Sequence, residues 1–326
     1  MNKIAKFWFF VVFLLTSQMQ CYSFDKVVIW GHKLHSHTHS YIHYGFYKAF
    51  LYLGYPTYWF DEYDDVSGFD FSNSLFLTAN QASEEMPIRD DCKYILHNTD
   101  DIQLRASQFM KIQTYTRDVS LRPGYIKIAP CIYYDRGGKV LYMPWATDLL
   151  PFEIDEIKKN VSLSPGLRKV YWVGTMSKEG EYSNFGELNP FISACRENGI
   201  EFVYYGIYTN AIKLIGMDEN RQLIAASYMA PAIVGQWQKE QGYIPCRIFK
   251  NISYGKIGIT NSDVVYELFE KKIVYNSDTY QLFYDAQKAM ETMTIDDLYE
   301  LMDFVKERHT YLNRIDLMLK ALNGVL

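Results

Sequence analysis

The sequence predicts an α/β fold with two parallel-sheet domains followed by C-terminal helices. Short apolar runs alternate with amphipathic helical patterns along most of the chain, as expected when helices cover parallel strands. The proline-bounded stretch Met143–Pro151 interrupts this alternation. The chain has 326 residues, of which 48% are hydrophobic, and this is enough to bury two separate cores.

The N-terminus predicts a targeting segment over residues 1–23. Lys3 and Lys6 precede an apolar run over residues 7–15, and Cys21 and Ser23 are the small residues expected at a cleavage site. The segment is a signal peptide or a signal anchor. We therefore expect a periplasmic or luminal protein of the secretory pathway, with membrane association through the N-terminus if the segment is retained.

The first domain is predicted to cover residues 24–150. It opens with the strand Lys26–Gly31, a helix from Tyr41 to Leu53 that Gly54 ends, and the strand Pro56–Asp61. Further apolar runs predict strands at Ser74–Thr78, Tyr94–His97 and Lys127–Pro130. This is the pattern of a parallel sheet with helices on its faces.

The second domain is predicted to cover residues 151–326. Its expected strands are Lys169–Val173, Glu201–Tyr205 and Ala232–Val234, with a helix near Pro190–Asn198 and a helical tail from Ile295 to Leu322. Ligands of such folds bind beyond the carboxyl ends of the strands. The turn Gly174-Thr175 follows the first of these strands, where a glycine allows the backbone to approach a phosphate closely.

The segment from Pro245 to Gly255 predicts a short helix that begins after a proline and ends at a glycine. Arg247 falls in its first turn, where the helix dipole and unpaired N–H groups favour an anion. A guanidinium can also contact two phosphate oxygens at once. The pattern therefore indicates a diphosphate site, although a salt bridge of Arg247 to a carboxylate is the alternative.

Five of the seven histidines lie between positions 32 and 43, and they allow three interpretations. His35, His37 and His39 alternate as metal ligands on a strand would. In a site facing the cleft, His39 and His43 would be catalytic, while His35, His37 and Tyr41 would bind an acceptor. The third interpretation is a solvated loop that leads into a helix.

Three motifs follow one another in the C-terminal half: Arg247-Ile248-Phe249-Lys250 with Gly255, then Glu267–Asn276, then Arg308–Arg314. In this order they resemble the GT-B glycosyltransferases of the CgeB-like, group 1 type. The resemblance implies two Rossmann-like domains that face each other across a cleft. It also implies transfer of a sugar from a nucleotide-diphosphate donor with retention of configuration, no cofactor, and a donor site formed by Gly174, Thr175, Arg247, Lys250 and Asn251.

The sequence departs from the family pattern at Lys250, where the family has a glutamate that holds the donor ribose. A lysine cannot accept hydrogen bonds from ribose hydroxyls, so Asn251 or Glu240 would have to replace it, or the donor differs. A non-catalytic, secreted metal- or carbohydrate-binding protein on the same fold is therefore the alternative function.

The charge pattern bears on metals and partners. No convincing D-x-D pair is present, which predicts metal-independent transfer in which Arg247, helix N-termini and, as a further candidate, Lys256 stabilise the leaving group. The formal net charge of −5 offers no basic face for nucleic acid. We therefore expect a nucleotide sugar as donor and a carbohydrate, protein or lipid as acceptor.

Overall fold

The computed structural model describes residues 24–33, 38–61, 63–79, 82, 85–99, 108–117, 119, 122–163, 166–206 and 215–326. The predicted targeting segment, residues 1–23, lies outside the described residues. Within them, no helix is both long enough and apolar enough to cross a membrane.

An eight-stranded sheet organises the first half of the chain, in the order β2-β1-β3-β4-β5-β8-β7-β6. Its strands are β1 (Lys26–Trp30), β2 (Thr57–Phe60), β3 (Ser74–Ala79), β4 (Lys93–His97), β5 (Phe109–Gln113), β6 (Tyr125–Ala129), β7 (Ile132–Asp135) and β8 (Val140–Tyr142). From β2 to β8 in this order all neighbours are parallel. Their carboxyl ends therefore meet at one edge of the sheet.

The strand predicted at Lys127–Pro130 forms as β6, but its pairing differs from the expected parallel arrangement. β6 pairs antiparallel with β7, and β7 pairs antiparallel with β8. A turn of two residues joins β6 to β7, and so short a connection can only return the chain antiparallel.

Both faces of the central strands are buried, as the apolar runs of a parallel sheet require. On one face Ile29, Leu77 and Ile95 pack against helix α1 (Thr38–Tyr52), whose side chains Phe46 and Phe50 are fully buried. The opposite face carries a separate aromatic cluster of residues Trp30, Phe71, Phe76 and Tyr94. The sheet is thus held rigid behind its carboxyl edge.

The C-terminal half contains two parallel sheets of two strands each, which together are called the second sheet below. β9 (Lys169–Val173) pairs with β10 (Glu201–Tyr205), and β11 (Ile259–Thr260) pairs with β12 (Val274–Tyr275). The segment 228–234 joins the two pairs, because Tyr228 N donates to Lys169 O at 2.7 Å and Ala232 N donates to Ile259 O at 2.8 Å. The strand predicted at Ala232–Val234 is thereby reduced to one bridge, between Ala232 and Thr260.

Nine further helices among the described residues surround these sheets. They are α2 (Pro151–Lys158), α3 (Phe185–Glu197), α4 (Met217–Ala226), α5 (Gln236–Glu240), α6 (Cys246–Ser253), α7 (Asp263–Leu268), α8 (Thr279–Thr292), α9 (Ile295–Arg308) and α10 (Tyr311–Leu322). Helices α3 and α8 cover one face of the second sheet. Helices α6, α7 and α9 cover the other.

The C-terminal tail is helical, as predicted, and α10 returns to the first half of the chain. Tyr311 packs against Phe46 of α1 with 4.4 Å between ring centroids, and Ile315 and Met318 lie in the same core. The last helix therefore ties the two halves together.

The third sequence motif, Arg308–Arg314, forms the junction between the halves. The buried Arg314 donates to Pro144 O at 2.7 Å and to Trp145 O at 3.2 Å, and Thr147 N donates to His309 O at 3.0 Å. Burial lowers the pKa of Arg314 to about 10. Buried backbone carbonyls need hydrogen-bond donors, and Arg314 supplies them across the boundary. The motif therefore has a structural role, which is to join the two halves. The division of the chain at residue 150 stays a prediction.

Candidate functional site

A cleft between the two halves contains a cavity of about 540 Å³. The first half lines it at the carboxyl edge of its sheet, with residues such as His39, His97 and Trp145. The second half lines it with the loop after β9 and the beginning of α6, including Thr175 and Arg247. This is the position at which α/β sheets place their ligands.

Arg247 is a half-buried cation at the beginning of α6. Its guanidinium carbon lies 3.7 Å from the centroid of the Trp172 ring, and Nη2 donates to Val173 O at 3.0 Å. Among the described residues no carboxylate forms an ion pair with it, so the salt bridge considered from the sequence is not found there. Burial lowers the pKa of the guanidinium, which nonetheless remains charged.

Gly174 allows Arg247 to occupy this position. Its φ is +137°, a conformation that side chains rarely adopt, and a Cβ atom at residue 174 would lie 2.3 Å from Arg247 Nη2. Thr175 follows on the wall of the cavity, and its carbonyl accepts a hydrogen bond from Asn184 Nδ2 at 3.0 Å. The loop after β9 is thus fixed in place beside the guanidinium.

Lys250 lies one helical turn beyond Arg247 on α6, and both line a small side cavity of about 60 Å³. Lys250 Nζ lies 4.2 Å from the centroid of the Tyr41 ring, an attractive cation–π contact. No carboxylate within the described part of the chain pairs with Lys250. Two cations and a helix N-terminus therefore line one space to which no described residue contributes a negative charge.

Tyr41 comes from α1 of the first half and also lines this side cavity. Its hydroxyl donates to Ile215 O at 3.4 Å. Burial, with a smaller effect from the carboxylate of Asp148, raises the pKa of Tyr41 to about 12. The phenol therefore stays protonated at neutral pH, and its ring is in contact with Lys250.

Asn251 is buried, and its side chain serves the scaffold. Its Nδ2 donates to Ala230 O at 2.8 Å, which fixes α6 against the segment 228–234. Glu240, the other expected acceptor for ribose, accepts a hydrogen bond from Gln236 on the exposed surface of α5.

Lys256 lies away from the cleft. It follows the opposite end of α6, where Nζ donates to Ser227 O at 2.5 Å and burial lowers its pKa to about 8. It lines a different cavity, so it cannot stabilise a leaving group beside Arg247.

Three histidines of the sequence cluster lie together at the carboxyl end of β1. His39 stacks on His32 with 5.2 Å between centroids, and His43 lies 6.2 Å from His39. His39 lines the cleft, whereas His43 is buried and its Nδ1 contacts Gly31 O at 2.8 Å. Of the two predicted catalytic histidines, His39 is thus the one on the cleft wall.

The other expected histidines, His35 and His37, lie outside the described residues. Among the described residues no group of three or more His, Cys, Asp or Glu side chains is arranged to hold a metal ion. The metal interpretation, which depended on His35, His37 and His39 together, stays untested.

His97 is a cleft residue that the sequence reasoning missed. It ends β4, lines the cavity, and lies 5.6 Å from His39 between ring centroids. Its Nδ1–H donates to Ile112 O at 3.0 Å when the ring is neutral, which leaves Nε2 as the acceptor. Burial lowers its pKa to about 4, so the ring is neutral at pH 7.

His97 was missed because it stands alone at the end of an apolar strand. Its only signal was that position, since carboxyl ends of parallel strands form ligand sites. The clustered histidines gave a stronger signal, because a cluster is visible in the sequence whereas the order of strands in a sheet is not.

Neither a protein-family model nor any curated protein matches the chain. The chain does match solved structures. An alpha-glucosyltransferase in complex with UDP and a 13-mer DNA containing a HMU base has 8% identity and a TM-score of 0.55, over 91% of this chain and 98% of that chain. The alpha-glucosyltransferase in complex with UDP has 8% identity and a TM-score of 0.54, over 90% and 98%.

A beta-glucosyltransferase, described with and without uridine diphosphoglucose, has 10% identity and a TM-score of 0.46 over 91% of this chain and 99% of that chain. At these identities the similarity is one of fold. The chain has the GT-B fold, as the resemblance implied.

Proposed function

We propose that this chain is a glycosyltransferase that takes its sugar from a nucleotide-diphosphate donor. The observation that carries the proposal is Arg247: a half-buried guanidinium with no carboxylate partner among the described residues, at a helix N-terminus, beside the glycine turn after β9. Such an arrangement suits a diphosphate, because backbone N–H groups, the helix dipole and the guanidinium all favour the same anion.

The proposal extends to the rest of the donor site. Gly174 and Thr175 would contact the diphosphate, and Lys250 would add a second positive charge from the side cavity. Asn251 would contribute by holding α6 in place. UDP is the first nucleotide to test, because the similar alpha-glucosyltransferase structures contain it.

On the opposite wall, His39 and the neutral His97 are suited to accept hydrogen bonds from sugar hydroxyls or a proton from an attacking hydroxyl. Tyr41 would support Lys250, and His35 and His37 remain proposed acceptor-binding residues. Retention of configuration, metal-independent transfer and the CgeB-like subtype rest on the sequence resemblance and the charge pattern alone. Placement in the secretory pathway rests on residues 1–23.

The alternative is a non-catalytic binding protein on the same fold. Lys250 favours it, because a lysine stands where the family has the carboxylate that holds ribose. The two functions differ in one observable: a transferase releases free UDP from a UDP-sugar, whereas a binding protein leaves the donor intact.

The test is calorimetric titration of the protein with UDP. Arg247→Ala should weaken UDP binding about 10- to 100-fold, since hydrogen bonds to charged groups contribute about 1.5–3 kcal/mol each. Arg247→Lys should recover only part of the affinity, because an ammonium cannot form the two-pronged contact. Gly174→Ala should weaken binding as well, since its Cβ would displace Arg247.

Two matched controls should leave UDP affinity unchanged. Arg168→Ala removes an arginine just before the amino end of β9, far from the cleft end of that strand, where its Nε donates to Gly199 O. Gly180→Ala changes a glycine of the same loop that has φ +79° and no neighbour within 4 Å. Unchanged affinity in Arg247→Ala, or no binding of any nucleoside diphosphate to the wild type, would contradict the proposal.

A further inference from the structure

Four aromatic side chains, Tyr115, Tyr182, Trp237 and Tyr243, form a continuous surface at the cleft, named here the aromatic wall. Ring centroids are 5.2 Å apart for Tyr115 and Trp237, 5.7 Å for Tyr115 and Tyr243, and 5.3 Å for Tyr182 and Trp237. The three tyrosines line the cavity. Tyr182 is 55% exposed, so its ring is accessible to a ligand.

The aromatic wall is built from both halves of the chain. Tyr115 follows β5 of the first half, while the other three side chains belong to the second. The neighbouring backbone joins the halves: Thr116 N and Arg117 N donate to Gln241 O at 3.1 and 3.2 Å, and Thr116 Oγ1 donates to Gly242 O at 3.1 Å. We call this contact the latch, and it holds Tyr115 against Tyr243.

The charges around the aromatic wall oppose a polyanionic ligand. Arg247 and Glu179 are the fully charged side chains among the described residues that line the cavity, and Arg247 is assigned to the donor diphosphate. Burial and then the neighbouring tyrosines Tyr182 and Tyr243 raise the pKa of the Tyr115 phenol, and the carboxylate of Glu181 adds a smaller effect. Among the described residues that line the cavity, no second cation is therefore present to pair with a phosphate backbone.

We propose that the aromatic wall binds the sugar acceptor, and that this acceptor is a neutral carbohydrate. The inference rests on the proposed function. A pyranose has an apolar face that packs on aromatic rings and hydroxyl groups at its rim, and tyrosines supply both a ring and a hydroxyl. Because the three tyrosines, His39 and His97 line one cavity, an acceptor bound there would present a hydroxyl towards the donor sugar.

The test measures transfer from a mixture of UDP-glucose, UDP-galactose and UDP-N-acetylglucosamine to two kinds of acceptor. One is an immobilised panel of neutral gluco-, galacto- and manno-oligosaccharides, and the other is duplex DNA containing 5-hydroxymethyluracil. We expect transfer to a neutral oligosaccharide. Tyr182→Leu should raise the KM for that acceptor about tenfold, the effect of losing one aromatic contact of about 1.4 kcal/mol.

Tyr52→Leu is the matched control, because Tyr52 is 54% exposed and lies at the end of α1 against Phe152, away from the cleft. It should leave the KM unchanged. A KM that Tyr182→Leu does not raise overturns the assignment, as does transfer to DNA alone or to neither acceptor while UDP still binds. Loss of the proposed function itself is recognised separately, by the absence of UDP binding in calorimetry.

Discussion

Arg247 and Lys250 are three residues apart on α6 and face the same side cavity. Neither has a carboxylate partner among the described residues, and uncompensated charges close together are costly unless a ligand supplies the opposite charge. Arg247 offers a planar donor pair held over Trp172, whereas Lys250 offers a point charge over Tyr41. In the proposed site, Lys250 would thus add a second anion-binding group at the position where the family that the sequence resembles has a glutamate.

His97 gives a prediction on pH dependence. Its pKa is about 4 in the folded protein and about 6.5 when unfolded, so between these values the unfolded chain binds a proton that the folded chain does not. Stability is therefore lost as pH falls below about 6.5. Between pH 7.5 and pH 5.0, the free energy of unfolding should fall by about 1–2 kcal/mol more in wild type than in His97→Asn.

Urea unfolding of both proteins at the two pH values measures this difference. His309 also has a pKa held well below its ordinary value by burial and by Arg314 and Arg308, but it contributes equally to both proteins. An equal loss of stability in the two proteins would show that His97 is not buried in neutral form.

At the scale of elements, the sequence predicted α6 well. A proline before the helix, a hydrophobic pattern through Ile248 and Ile252, and Gly255 after it are local signals, and local signals determine where a helix begins and ends. The helix forms over Cys246–Ser253. Arg247 and Gly174 lie close together, since a Cβ atom at residue 174 would lie 2.3 Å from Arg247 Nη2, but the family resemblance, and not position alone, placed them in one site.

The features that the sequence did not predict depend on contacts between distant residues. The antiparallel pairing of β6 is the exception, because the two-residue turn to β7, a strand that was not predicted, imposes it locally. The segment 228–234 pairs through isolated hydrogen bonds instead of a regular strand. The role of Arg314 depends on carbonyls about 170 residues away. The role of Asn251 was not predictable either, because its side-chain amide donates to Ala230 O, on a different segment of the chain.

For the molecule as a whole, the junction and the latch join the two halves at separate places. The junction, formed by Arg308–Arg314, is packed against the core, whereas the latch consists of a few hydrogen bonds beside the cleft. A contact made by a few hydrogen bonds opens more readily than one packed into an apolar core. We expect the latch to be the part of the interface that opens to admit substrates.

Gly242→Ala should open the latch. Gly242 has φ +66°, and a Cβ atom there would lie 2.8 Å from Arg117 N, so the two backbones must separate. Hydrogen exchange at the amides of Thr116 and Arg117 should become about tenfold faster, which corresponds to about 1.4 kcal/mol of lost protection.

Gly324→Ala is the control, since Gly324 has φ +69° but no neighbour within 4 Å. Both variants introduce backbone strain at a positive φ, but only Gly242→Ala also introduces a steric clash, so a difference between them reports the clash. Equal exchange at Thr116 in wild type and Gly242→Ala would mean that these hydrogen bonds do not hold the halves together.

A crystal structure of the protein with UDP would show whether a diphosphate is held at the beginning of α6. We expect the β-phosphate oxygens within hydrogen-bond distance of the Arg247 guanidinium and of the backbone at Gly174–Thr175, with Lys250 on the same side. UDP bound elsewhere, or bound in the cleft with Arg247 still turned only to Val173, would contradict the claim.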